Sequence, residues 1–461
     1  MKQNLNRFGL VFIVLILIPI SIICVKKDIE MLLIAILLFI PIFIFFNKKP
    51  KLYVYTQLIY NLIIKYLISS WGVPSIANYV TDIITLLCVW YAMIKCIKNK
   101  EKVNFKPQML IVILMFISTI VGFFINGSEI TLYLWGFRNI YRFFAFFFAS
   151  IILLDKEDFY KFFKIFKIFL LINVFLCTYQ YFIQHLGQDA ISGTFGTISG
   201  GNAGMNLFLI IVTTVEVIYY LNRKTTMINL IFVIVSSIYI ATISELKVFY
   251  IEFLIIVSLA VLLNNFNKRT FIIVVGAICI SIVAVRTLYV IYPSFKNFFN
   301  INKILDYSAE GGYSDEKNLN RFTAIEEINK LYMFKNIETK MFGIGMGNAE
   351  VSQYDFLSSE FYEQYSYLAY NWFSHAFMYI ENGYVGLILY ILFFISITIK
   401  SHSLKNRDKN NKIYYIITEI TSILAIVNMI YNGSLRMEYA YIYFVVLSLT
   451  FVCNKKSEIM N

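Results

Sequence analysis

The sequence predicts an all-α, polytopic membrane protein, and three observations carry that reading. Of its 461 residues, 59% are apolar and only 15% charged, too little charge to cover a soluble chain of this length. Apolar runs such as FGLVFIVLILIPISIICV (8–25) and MLLIAILLFIPIFIFF (31–46) approach the roughly 20 residues that cross a bilayer. Lys and Arg gather in alternate short loops, the bias that orients membrane helices.

About fourteen spans of bilayer-crossing length follow along the chain. They cover 8–25, 31–46, 52–70, 75–94, 109–125, 131–154, 162–184, 202–221, 227–243, 248–263, 271–292, 376–399, 413–431 and 439–453. The first run lacks a small-residue cleavage site and is followed at once by another span, so it reads as a retained helix. The loops 1–7, 47–51, 95–108, 155–161, 222–226, 264–270, 400–412 and 454–461, with Lys164 and Lys167, hold most of the 40 basic residues. The opposite short loops hold only Lys26, Lys27, Lys247 and Arg436. Both termini are therefore expected in the cytoplasm. The net charge of +12 is accounted for as an orientation signal, and nothing points to nucleic acid.

The expected organisation is transmembrane helices 1–11 over 1–292, one large, partly helical extracytoplasmic loop over 293–375, and helices 12–14 over 376–461. Within the loop, Phe322, Ile325, Ile328 and Leu331 recur about once per turn and predict a packed helix over 319–334. A second helix is expected over 356–370. The six cysteines fall in or beside spans with no CxxC or Cys/His spacing, so disulfides and structural zinc are not expected.

One stretch of the loop, MFGIGMGNAE (341–350), carries glycine at Gly343, Gly345 and Gly347. Such a run can wrap a phosphate with backbone N–H groups, but a nucleotide loop needs a preceding strand and a following Lys-Ser/Thr. Neither is present, and the topology puts the run where there is no ATP pool. The alternative is a flexible turn that ends the loop helix.

From residue 320, NRFTAIEEINKLYMFKNIETKMFGIGMGN resembles the arginine–helix–G-x-G-x-G block of the O-antigen polymerase and ligase superfamily. Arg321 falls on its arginine, and Gly343, Gly345 and Gly347 on its glycines. HAFMYIENGYVGLILY (375–390) is similar to the family's His-containing entry into the next helix, with E-x-G-x-x-G at Glu381, Gly383 and Gly386. His375 sits about one helical turn closer to Gly383 than in the common family form. GTFGTISGGNAGMNLFLI (193–210) resembles the family's Gly/Asn-rich external loop, and ISELKVFYIEFLI (243–255) its Ser-basic helix start, with Lys247 in the basic place.

The resemblance implies an integral-membrane glycosyltransferase of the bacterial cytoplasmic membrane with an extracytoplasmic active site. It would polymerise undecaprenyl-diphosphate-linked oligosaccharide repeat units into an O-antigen, capsule or exopolysaccharide. A ligase-type transfer differs in its acceptor, and a lipid-linked oligosaccharide flippase is the alternative from another class. The implied partners are the lipid-linked donor and acceptor, membrane lipid, a chain-length regulator and a flippase. No cofactor and no metal are expected, since the activated donor supplies the energy.

Such chemistry needs cations for the leaving diphosphate and a base for the acceptor hydroxyl. Arginine matches phosphate oxygens bidentately, and the resemblance assigns Arg321 this role. Arg138 and Arg142, four apart, share a helix face. Inside a span each costs at least about 2.5 kcal/mol, so they face substrate, pair with Asp82, Glu216 or Glu252, or reach the interface. Lys247 is a further substrate-binding candidate. For the base, His375 has a suitable imidazole but could equally cap the re-entering helix. Glu381 is the other candidate, or else a packing residue or arginine partner. The aromatic stretch YEQYSYLAYNWF (362–373) fits either a glycan groove or an interfacial belt.

Overall fold

The structure is a computed structural model that describes residues 49–99, 105–198, 200–264, 268–276, 286, 318–352 and 354–455. The expected spans 8–25 and 31–46, most of 271–292 and the first part of the large loop lie outside the described residues. Every described element is helical. In chain order these are α1 (Lys51–Trp71), α2 (Val80–Asn99), α3 (Lys106–Asn126), α4 (Ile130–Leu153) and α5 (Lys156–Phe182). Next come α6 (Asn202–Leu221), α7 (Met227–Ile243), α8 (Lys247–Leu263), and the short α9 (Ala324–Ile328), α10 (Ile337–Phe342) and α11 (Glu360–Tyr365). The chain closes with α12 (Ser374–Arg407), α13 (Lys412–Tyr431), α14 (Ala440–Leu447) and α15 (Leu449–Asn454). Among the described residues, 7 helices are long and apolar enough to cross a membrane. They fall on the expected spans at 75–94, 109–125, 131–154, 162–184, 202–221, 376–399 and 413–431. The protein is thus all-helical and membrane-embedded in character.

The centre of the bundle is α6, whose residues from Gly204 to Leu221 are all buried. A helix that is apolar all round has no face for solvent or lipid and must be enclosed. Here α7, α8, α13 and α14 enclose it. Beside it, Phe143, Phe144 and Phe147 of α4 interlock edge-to-face with Phe393 of α12 and Tyr441 and Phe444 of α14. Such aromatic pairs add about 0.5–1.5 kcal/mol each beyond their buried area.

The two ends of the bundle differ chemically. At one, lysines close helix ends: Lys95 Nζ donates to the Ile152 carbonyl at 2.8 Å, and Lys455 Nζ to Ile152 and Leu154 at 2.9 and 3.0 Å. Cations favour these C-terminal carbonyls of α4 through the helix dipole. At the other end the connections are longer and fold back on the helices. The start of the GTFGTISGG loop is tucked inward, with residues 191–196 buried. Gln180 of α5 accepts from the Ser192 and Gly193 amides at 3.1 and 2.8 Å, and Asn173 from Thr194 at 2.7 Å. A buried loop must find such partners for its backbone.

The large loop departs from expectation. The helix expected over 319–334 is a single short α9 followed by a 3-10 turn at Tyr332–Lys335, and 356–370 is a series of short turns around α11. Ala324, Ile328 and Phe334 are buried, but Phe322 is 67% exposed. The one-per-turn spacing therefore does not form one buried stripe. Asn320 Oδ1 accepts from Phe322 N at 3.0 Å, and that local turn competes with helix before α9.

One long helix is broken. Gly383 inside α12 has φ 61 and ψ −164, so Ser374–Asn382 and the remainder are separate helical pieces. Into this break fits the backbone of 341–345. A Cβ on Gly383 would lie 2.3 Å from the Met341 carbonyl carbon, and one on Gly343 2.3 Å from that of Glu381. Ile344 N donates to the Ile380 carbonyl at 2.8 Å and Gly345 N to Glu381 at 3.2 Å. The loop thus satisfies carbonyls that the break leaves without helical partners.

The contact gives a stability prediction. Gly383→Ala should abolish monodisperse folded protein in detergent, because the added Cβ would meet the Met341–Phe342 backbone at 2.3–2.5 Å. Gly127→Ala, also at positive φ but with nothing within 4 Å of a Cβ, should cost only about 1–2 kcal/mol. Size-exclusion profiles and thermal melts of the two variants check this.

Candidate functional site

The charged and polar side chains of the looped end form three clusters. In the first, Asp82, in the first turn of α2, accepts from Arg138 Nε and Nη2 at 2.9 and 2.5 Å and from Arg142 Nη1 at 3.4 Å. Arg142 Nη2 continues to Glu438 Oε1 at 3.4 Å, and Lys65 Nζ lies 2.9 Å from Glu438 Oε2. The i, i+4 spacing of the arginines on α4 lets one carboxylate bridge both. Arg138 also lies over the Tyr79 and Trp135 rings, each 4.8 Å from its guanidinium carbon. Of the alternatives open in the sequence, pairing with Asp82 is the one the structure contains. The chain Arg138–Asp82–Arg142–Glu438–Lys65 holds three cations to two carboxylates and so is locally positive.

The second cluster joins Arg321 and His375. Arg321 Nε donates to the Tyr431 carbonyl at 3.0 Å. Its guanidinium carbon is 4.3 Å from the Tyr431 ring centre and 5.2 Å from that of Phe373, contacts that fix its plane. His375 is buried, with Nδ1 3.3 Å from the Met429 carbonyl, and a backbone hydrogen bond ties its ring to Arg321. The preceding Ser374 binds the Asn432 carbonyl through its amide at 3.1 Å and its hydroxyl at 3.0 Å.

The third cluster is built on Glu381. Its Oε1 accepts from the amides of Gly347 at 2.9 Å and Ala349 at 3.2 Å, while its fully buried Oε2 has no hydrogen-bond partner. Of the three glycine amides, only that of Gly347 meets an acidic group, and that group is the Glu381 carboxyl of the same chain. The amides of Gly343 and Gly345 are likewise taken, by Thr339 and Glu381 carbonyls. Beside the Glu381 carboxyl, Arg436 Nη2 lies 3.3 Å from Glu350 Oε1, and its guanidinium rests on the Phe377 ring.

The clusters meet in the connector between α13 and α14, NGSLRMEY (432–439). Asn432 holds Ser374, Arg436 holds Glu350, Glu438 binds Lys65 and Arg142, and Tyr439 packs its ring on Gly204 and 5.6 Å from Phe195. The structure thus brings Arg321 to His375, Arg138 to Arg142, and Gly343, Gly345 and Gly347 to Glu381. Lys247 is paired instead with its neighbour Glu245 at 2.8 Å. Sequence reasoning offered Asp82 as a partner of the two arginines but missed Lys65 and Glu438 as parts of the same network, and it missed the connector almost entirely. The available signal was an Arg and a Glu crowded into one short loop between two apolar runs. Two clefts of about 390 and 340 Å³ lie farther out, one lined by Thr323, Glu326, Glu327 and Lys330, the other by Asn126, Tyr332, Asn336 and Thr339. Only Ile344 of the glycine run reaches either, as part of the second cleft's lining. Among the described residues no group of His, Cys, Asp or Glu is arranged to hold a metal ion. No protein-family model matches the chain, and neither does any curated protein.

Burial alone would raise the Glu438 carboxyl, but Lys65 and Arg142 outweigh it and hold the group below the usual carboxylate range. A depressed folded value adds stability above the unfolded value, about 4.3 for glutamate, and that stability is lost as pH falls through the folded value. Glu438→Gln should therefore melt below wild type at neutral pH, with the gap closing as the pH drops under about 4.3. Melting curves of both proteins from pH 7 to pH 3 read this directly.

Proposed function

We propose that the chain is an extracytoplasmic-facing membrane glycosyltransferase that polymerises undecaprenyl-diphosphate-linked repeat units into a surface polysaccharide. The observation that carries the reading is that the four blocks that bear the resemblance meet in two pairs, which the connector with Tyr439 lies between. Arg321 lies beside His375, the glycine run interlocks with the E-x-G of α12, and the 193–210 block touches both Tyr439 and the 243–255 block.

In this reading the acceptor hydroxyl oxygen attacks the anomeric carbon of the donor sugar, and the carbon–oxygen bond to the diphosphate breaks. Negative charge builds on the departing diphosphate. Arg321, with its plane fixed by Tyr431 and Phe373, is the group that meets it, and the net positive Arg138–Arg142–Lys65 network adds field from the membrane side. His375, alongside Arg321, takes the hydroxyl proton. Glu381 is the other candidate base, but its carboxylate already holds the glycine loop, which suits it better to positioning.

Incubation of purified protein with a defined lipid-linked repeat should yield a ladder of lengths. A single transfer to lipid A–core would instead favour the ligase reading, and no glycan transfer at all a flippase. Arg321→Ala should abolish the ladder while the protein remains membrane-inserted. His375→Gln should lower the rate by about 10²- to 10⁴-fold, the range for a lost general base. A full ladder from Arg321→Ala, or an unchanged rate from His375→Gln, removes that residue from its role.

A further inference from the structure

Seven carboxylates are buried among the described residues. Asp158, Glu216, Glu350, Glu419 and Glu438 each pair with a lysine or arginine, and Glu381 takes two loop amides beside Arg436. Glu252 of α8 is the exception among the described residues. It is fully buried, and the side chains that meet it are the amides of two equally buried asparagines. Asn428 Nδ2 of α13 donates to Oε1 at 2.8 Å, and Asn206 Nδ2 of α6 to Oε2 at 2.9 Å.

The amides continue the cluster. Asn428 Oδ1 accepts from Asn206 Nδ2 at 3.2 Å and from Asn432 Nδ2 at 3.3 Å. Asn206 Oδ1 is buried with no hydrogen-bond partner. A buried acceptor without a donor is costly, and so is an uncompensated carboxylate in an apolar bundle. Both deficits are of one sign, and a bound positive charge would relieve them together. An asparagine amide can turn to offer oxygen in place of nitrogen, so the three side chains can present a ring of hard oxygen ligands.

We propose that Glu252, Asn206 and Asn428 form an intramembrane binding site for a monovalent alkali cation, with Asn432 at its rim. The charge follows from the ligands. One carboxylate is balanced by one positive charge, whereas a divalent ion would leave an excess in the bundle interior. The site also has a route to the looped end. Asn428 precedes Met429, whose carbonyl faces His375, and Asn432 carries the carbonyl that holds Ser374. A cation that orders Asn428 and Asn432 orders the last turn of α13 and the Arg321–His375 pair with it. Binding itself is independent of the glycosyltransferase reading.

Thermal melts of the full chain in detergent test this, with NaCl or KCl exchanged for choline chloride at constant ionic strength and pH. A ligand of the folded state raises the melting temperature with its concentration. The wild type should gain a few degrees with sodium or potassium, Glu252→Gln should show no such gain, and Asn206→Ala should need at least tenfold more cation for the same gain. Should Glu252→Gln fail to fold, calorimetric titration of wild type with NaCl against a choline chloride blank should show saturable heat, and its absence counts against the site. A wild-type melt that ignores the alkali cation, or follows pH alone, overturns the proposal. Such a result would leave a proton or an ordered water in the cluster.

Discussion

A helix broken inside an apolar bundle leaves carbonyl oxygens that water does not reach, and their satisfaction at Gly383 governs the whole looped end. The amides of Ile344 and Gly345 reach the carbonyls of Ile380 and Glu381 because neither Gly343 nor Gly383 carries a side chain. That contact aims the next amides, of Gly347 and Ala349, at the Glu381 carboxylate. It also carries Glu350 to Arg436, and so ties the loop to the connector. Remove the joint and the Glu381 cluster loses its frame, and the loop its tie to the connector.

Charge is the second constraint. Arg142 and Glu438 are both buried, and an isolated charge at that depth would cost several kcal/mol. The protein does not neutralise them in closed pairs. It strings them so that each inner charge has partners on two sides, with Arg138 and Lys65 as the partly exposed ends. Three cations strung with two carboxylates leave one positive charge in excess, which suits an anionic ligand in a way that a set of balanced pairs would not.

The helices were legible in the sequence because twenty apolar residues in a row admit few alternatives, and the α6 and α12 limits agree with the apolar runs to within a few residues at the looped end. The pairing of Arg138 and Arg142 with Asp82 was among the options, since a buried cation demands a carboxylate. The glycine motif was legible as a tight turn or a loop with free amides, but its contact with Glu381 was not. Gly347 and Glu381 are 34 residues apart, and only the break at Gly383 reveals that they meet. The large loop misled for a related reason. Apolar spacing around Phe322 is helical, yet local Asn320 capping and contacts with α12 divide the segment into turns. The connector at 432–439 left the faintest trace, because eight residues are too few for any periodicity.

The joint at Gly383 makes the short piece Ser374–Asn382 belong mechanically to two parents. Covalently it is the start of α12, but its last carbonyls are held by the 341–345 backbone and its first residue by Asn432. Any shift of the loop is therefore transmitted to His375 and Glu381 without passing along the long lower part of the helix. The lower part anchors, the loop steers, and the two candidate bases ride on the hinge between them. The spacing within 343–349 and within 380–383 is, by this logic, fixed by the bonds that clamp them.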